Sequence, residues 1–93
     1  MKLTLIRHTR NRMRQYGITL EEIQDCIENP RWRFEEEENG KRAVQAWTKG
    51  VPGQWRHGRG PYLKVVYREE GDERVILTAG PREKLPSGVI DED

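Results

Sequence analysis

His8 and Arg12 stand four residues apart in a chain of 93, so on a helix they share one face, with Tyr16 a further turn along. A histidine moves protons near neutral pH, and an arginine beside it can hold a phosphate through two parallel hydrogen bonds. Together they are the smallest set needed to cleave a phosphodiester by general acid–base catalysis without a metal. Lys64 and Arg68 lie on a segment that reads as a strand, where residues four apart share a face, and they add two cations for a phosphate. The plainer alternatives are a histidine that caps a helix end or pairs with acidic residues, and cations that snorkel at the rim of a covered sheet. A third cluster, Trp55, Arg56, His57 and Arg59, lies among the glycines and prolines of GQWRHGRGP. That composition suits a nucleic-acid grip on a mobile flap, and more readily a plain solvated loop.

Other chemistries lack their residues. Two histidines in distant segments, no His-Glu-x-x-His and one cysteine leave no metal-ligand set with workable spacing. There is no phosphate-binding P-loop, no Gly-x-Gly-x-x-Gly after a strand and no Gly-x-Ser-x-Gly elbow, so neither a metal nor a cofactor is expected. Cys26, beside Ile27 on a helix, reads as a small buried residue rather than a nucleophile.

At 93 residues, with 33% apolar and 35% charged side chains, the chain can build one small domain around a thin core. Three tryptophans partly compensate, because each can bury a large area. The single cysteine suits a reducing compartment, and MKLTLIRHTR meets its arginines too soon for a signal peptide. A soluble cytoplasmic protein is expected. Its net charge of +1 conceals blocks: five basic residues and no acid up to Tyr16 (Arg10 among them), eight acids from Glu21 to Glu38, then seven basic residues and no acid from Lys41 to Arg68. Such blocks can fold into a positive and a negative face, or neutralise one another in space.

The elements that must position these groups follow from local signals. Lys2 to Ile6 reads as a short strand or extended arm, and His8 to Tyr16 as a helix stopped by Gly17. Thr19 with Glu22 forms a capping box for a second helix carrying Leu20, Ile23 and Ile27, which Asn29-Pro30 ends. Asn39-Gly40 predicts a hairpin turn that sets Glu37 opposite Arg42 and Trp32 opposite Trp47. Gly71-Asp72 turns a second hairpin with Glu69 opposite Arg74; apolar residues on both its strand faces assign it to the sheet centre. The fold class expected is α+β, with two N-terminal helices packed on a four-stranded, mainly antiparallel sheet. Residues 1–81 form the domain and 82–93 a loose acidic tail.

The text HTRNRMRQYGI, from His8 to Ile18, resembles the opening of a bacterial family, domain-of-unknown-function family 4258, whose members tend to begin His-Ala-x-x-Arg-Met-x-x-Arg-Gly-Ile. The helix start Thr19-Leu20-Glu21-Glu22, the stop Asn29-Pro30 and the strands LKVVY and VILTA fit as well. More distantly the pattern resembles the RelE, ParE and BrnT toxins, compact α+β proteins of which several cut messenger RNA without metal and others poison gyrase. The resemblance implies a RelE/ParE-like fold more firmly than an activity. By it His8, Arg12 and Met13 match the family opening, and Lys64 or Arg68 and Thr78 lie on matching strands. Thr9 and Tyr16 depart from the family's alanine and second arginine. Tyr16 removes a charge from the face in question and offers a ring for a base instead.

The function expected is therefore a toxin-like RNA-binding protein acting as a metal-independent endoribonuclease, with His8 as general acid or base and Arg12, Lys64 and Arg68 on the phosphate. Arg10, Tyr16, Trp55, Arg56, His57 and Arg59 are the expected nucleic-acid contacts. The alternative is a non-catalytic nucleic-acid-binding or protein-interaction module of the same fold. RNA and an antitoxin-like protein are the expected partners.

Overall fold

In the computed structural model, residues 2–38, 40–57 and 60–92 are described. The chain runs β1 (Lys2–Leu5), α1 (Arg7–Tyr16), α2 (Leu20–Glu28), β2 (Trp32–Glu38), β3 (Lys41–Lys49), β4 (Tyr62–Glu70) and β5 (Glu73–Arg82). Local signals set most of these boundaries. Gly17 ends α1 in the left-handed region (φ 69°), where a side chain would be strained. Both bonds of the capping box open α2: the Thr19 hydroxyl accepts from the Glu22 amide, and Glu22 accepts from the Thr19 amide. Among the described residues no helix is long and apolar enough to cross a membrane.

The five strands form one mixed sheet in the order β1-β5-β4-β3-β2. Both hairpins keep the expected registers, with Trp32 opposite Trp47, Glu37 opposite Arg42 and Glu69 opposite Arg74. Asn39 lies outside the described residues, and its neighbour Gly40 has φ 75°. The four-stranded expectation is corrected by β1, which pairs parallel with β5, Leu5 alongside Ile76. An N-terminal strand that meets the last strand satisfies an edge that would otherwise expose its ladder groups, but no local motif announces such a pairing.

Helices cover one side of the sheet only. Ile18, Ile23, Cys26 and Ile27 pack there on Val44, Ala46, Leu63, Val65, Tyr67, Ile76 and Ala79. Alternation therefore sends Trp47, Lys64, Val66 and Arg68 to the other side. A bulge between β4 and β5 adds one residue at Leu77, so Val66 faces Thr78 while Tyr67 faces Ile76. Ile76 and Ala79 can then both enter the core, and Thr78 turns towards the helix-free face.

In the connection that follows β3, Trp55 belongs neither to a mobile flap nor to a solvated loop, the two readings its composition suggests. Trp55 is 4% exposed and belongs to the core, with its indole Nε1 donating to Glu22 Oε2 at 2.9 Å. Gln54 donates to the same oxygen. Gly50 admits the ring closely: a Cβ there would stand 2.7 Å from it. The physical reason is economy, since a thin core gains more from one buried indole than a loop gains from flexibility. The segment after β5, expected to be loose, is fastened at Asp91, whose carboxylate meets Lys49 Nζ at 2.6 Å, the Tyr62 hydroxyl at 2.9 Å and Arg31 at 3.4 Å.

Candidate nucleic-acid interface

The helix-free face joins cations to aromatic rings. Lys64 lies over the Trp47 indole, 5.6 Å from the ring centroid, and its backbone pairs with Gly80. Gly80 leaves room for the Arg82 guanidinium, since a Cβ there would be 2.9 Å from Nη1. Two cations are thus brought side by side. Burial first, and then the charge of Arg82, push the Lys64 ammonium below its ordinary pKa, with Glu36 opposing. An anion bound here would relieve both penalties. Trp47 donates to Gln45 Oε1 at 3.1 Å and Gln45 donates to Glu36 at 2.7 Å, which fixes the indole under the lysine. Trp32 and Tyr62 meet edge to face at 5.8 Å and are both partly exposed, so rings border the cations. Arg68 continues the row along β4, with Nη1 4.0 Å from Glu70.

His8 stands at the edge of this face. The first turn of α1 is tied to β5 by Thr9, whose fully buried hydroxyl donates to the Ile76 carbonyl at 2.7 Å. The neighbouring His8 is exposed, with Nε2 3.4 Å from the Thr78 hydroxyl that the bulge has turned outward. Arg12 follows one turn later, half-buried and 3.4 Å from Gln15 Oε1. Lys64, Arg82 and Arg68 thus share the helix-free side, while His8 and Thr78 meet at the β5 margin.

On its opposite flank α1 carries Arg10 and Arg14, and there the loop adds Arg56. The Arg56 amide donates to the Tyr16 carbonyl at 2.8 Å, its Nη2 lies 3.4 Å from the Arg14 carbonyl, and its guanidinium packs on Gly17. These three arginines border a shallow groove floored by Leu5, Met13 and Ile18.

Residues 5–81 match the family described as a domain of unknown function, DUF4258. The chain belongs to that family. No curated protein and no solved structure matches it. The DUF4258 match takes in both helices, His8, Thr78 and Lys64, and stops one residue short of Arg82, so Asp91 lies beyond it.

Within the DUF4258 domain the residues read from sequence separate into groups. Lys64 and Arg68 come to the helix-free side, His8 stands at the β5 margin beside Thr78, and Arg12 lies one turn further along α1. Arg10 and Arg56, from segments far apart in sequence, meet on the other flank of α1. Tyr16 is half-buried against the core, Trp55 is inside it, and His57 is exposed on the loop with φ 50°. Arg59 lies outside the described residues. Sequence reasoning passed over Arg82, which it assigned to the tail, and Trp32 and Tyr62 as partly exposed rings beside the buried Trp47. The alternation of the two hairpins was the signal for the rings, once the covered side was known. Cys26 is buried, its Sγ 3.4 Å from the Ala46 carbonyl, and burial pushes its thiol pKa up to about 12. Among the described residues no three His, Cys, Asp or Glu side chains are grouped as a metal site would need.

Proposed function

We propose that this DUF4258 domain binds single-stranded RNA across the helix-free face of its sheet. The observation that carries the reading is the Lys64–Arg82 pair, two neighbouring cations of which Lys64 lies over the Trp47 ring, with the Lys64 pKa driven down first by burial and then by its neighbour. A phosphodiester between them converts repulsion into charge-assisted hydrogen bonds. Trp32 and Tyr62 offer ring surface for unpaired bases, which a double helix would not present. Fluorescence anisotropy with a labelled single-stranded RNA tests this: binding should weaken with salt and fall at least tenfold in a Lys64→Glu/Arg82→Glu variant. Equal affinity in that variant refutes the site, and no binding at low salt refutes the function.

A second reading, turnover, is favoured by the place of His8 beside Thr78 on that margin. A 2′-hydroxyl would attack the adjacent phosphorus while His8 takes its proton; the P–O5′ bond breaks, the 5′-oxygen is protonated by water or an acid, and a 2′,3′-cyclic phosphate remains. Lys64, Arg82 and Arg68 would hold the charge that builds on the non-bridging oxygens, with Arg12 at the rim. The resemblance to RelE, ParE and BrnT toxins supports RNA as target and an antitoxin-like protein as partner. Incubation with RNA in EDTA decides the reading: cleavage lost in His8→Ala supports it, and no cleavage, or cleavage unchanged in that variant, removes it. A small adjacent gene for a DNA-binding protein would support the toxin–antitoxin arrangement.

A further inference from the structure

Asp91 draws together donors from three strands. Arg31, Lys49 and Tyr62 come from the start of β2, the end of β3 and the start of β4, yet their polar atoms converge on one carboxylate. Lys49 Nζ and the Tyr62 hydroxyl both reach Oδ2, at 2.6 and 2.9 Å, and Arg31 Nη2 reaches Oδ1 at 3.4 Å. The Asp91 side chain is only 14% exposed in this setting. Its hydrogen bond also raises the Tyr62 phenol above its usual pKa. The Arg31 guanidinium lies 4.9 Å from the Trp32 ring centroid, and Trp32 meets Tyr62 edge to face, so the donors stand against an aromatic pair. Two cations, a phenolic donor and rings are what a nucleotide phosphate with its base requires, whereas a carboxylate needs only the first part.

This site adjoins the one proposed for RNA. Tyr62 pairs with Lys49 on one side and with Arg82 on the other, and Lys64 is two residues further along β4 on the same face. Successive rows on a strand are about 7 Å apart, so a single strand laid over Lys64 and Arg82 would bring its next phosphate towards Lys49 and Tyr62. The segment that carries Asp91 lies outside residues 5–81, so the family domain supplies the donors and a separate extension supplies the acid.

We infer that Arg31, Lys49 and Tyr62 form a second phosphodiester site for RNA, and that Asp91 occupies it as an internal mimic which RNA must displace. This rests on the RNA-binding reading of the helix-free face. The test uses the full chain, an Asp91→Asn variant and a labelled single-stranded oligouridine. Asp91→Asn keeps the side-chain shape and removes the competing charge, so affinity should rise about three- to tenfold at fixed low salt, the range expected for releasing one partly screened pair. In that background Lys49→Gln or Tyr62→Phe should cancel the gain. In the unaltered chain, saturation with RNA should move the Gly88 and Val89 amide resonances to random-coil positions.

Unchanged or weaker affinity in Asp91→Asn overturns the inference, as do tail resonances that stay in place when RNA is bound. Loss of binding in Lys64→Glu/Arg82→Glu with no gain in Asp91→Asn leaves the RNA face standing and removes only the masked site. If inorganic phosphate alone releases the tail as effectively as the oligonucleotide at equal phosphate concentration, the site takes free anions and the RNA assignment is overturned. If neither protein binds RNA, both readings fall.

Discussion

Replacing Trp55 by alanine should remove about 3–5 kcal/mol of stability, the range for excising a large aromatic side chain from a core. The indole is 4% exposed, packs with the core residues of both helices and the central strands, and donates to Glu22. At roughly 0.05–0.15 kcal/mol per residue, a chain of 93 residues has about 5–14 kcal/mol in total, so the loss is a large share of it. The melting temperature should fall by 12 °C or more, at roughly 4–8 °C per kcal/mol. Urea unfolding followed by circular dichroism measures both. A second variant, Trp55→Phe, separates the terms. It keeps most of the apolar contact and loses the bond to the Glu22 carboxylate, so about 1.5–3 kcal/mol should go. A double-mutant cycle with Glu22→Gln should return a coupling of about 0.5 kcal/mol or more. A loss below about 1 kcal/mol in Trp55→Ala would refute the reasoning and restore the loop to a solvated connection. Arg56 has the same stake, since its place beside Gly17 depends on the residue before it being buried.

Gly50→Ala should cost about 1–3 kcal/mol, because its Cβ would enter the space of the Trp55 ring; unfolding at the normal urea midpoint would contradict the contact. Thr19→Ala should lose about 1 kcal/mol through the α2 cap, measured the same way. Cys26 should resist thiol-specific reagents at pH 8 in the native protein and react on unfolding, and rapid native labelling would show the thiol accessible. Its pKa is about 12 when folded against 9.0 as the reference, so above pH 9 the unfolded chain sheds this proton first and stability falls as pH rises. Against Cys26→Ala, the decline should be steeper by up to about 1.4 kcal/mol per pH unit between those values, and parallel curves would disprove it. For RNA binding, Lys64→Ala and Arg82→Ala should each lower the slope of log affinity against log salt by about 0.7, as one lost phosphate contact requires.

Much of the fold was legible because its signals are local. The capping box needs only Thr19 and Glu22, the stop of α1 only Gly17, and each hairpin register follows from a turn and a count outward, which placed Trp32 against Trp47 and Glu69 against Arg74. Alternation also established that Lys64 and Arg68 share a face. Which face the helices would leave uncovered did not follow, because that depends on where they dock, and both faces of the central hairpin are apolar. His8 was identified as a residue able to move a proton, but its neighbour Thr78, 70 positions away, belongs to it only through the bulge in β5.

By itself the sequence determined the elements, their caps and turns, and a stock of cations with no metal-ligand set among them, since each depends on residues within a few positions of one another. The tertiary structure decided the rest. It set β1 beside β5, drew Trp55 from a glycine-rich loop into the core, laid Arg82 against Lys64 and fastened Asp91 to three strands. Each of these is a contact between distant segments, selected by how a small chain buries its few apolar side chains and satisfies its charges together, and spacing along the chain carries no record of it.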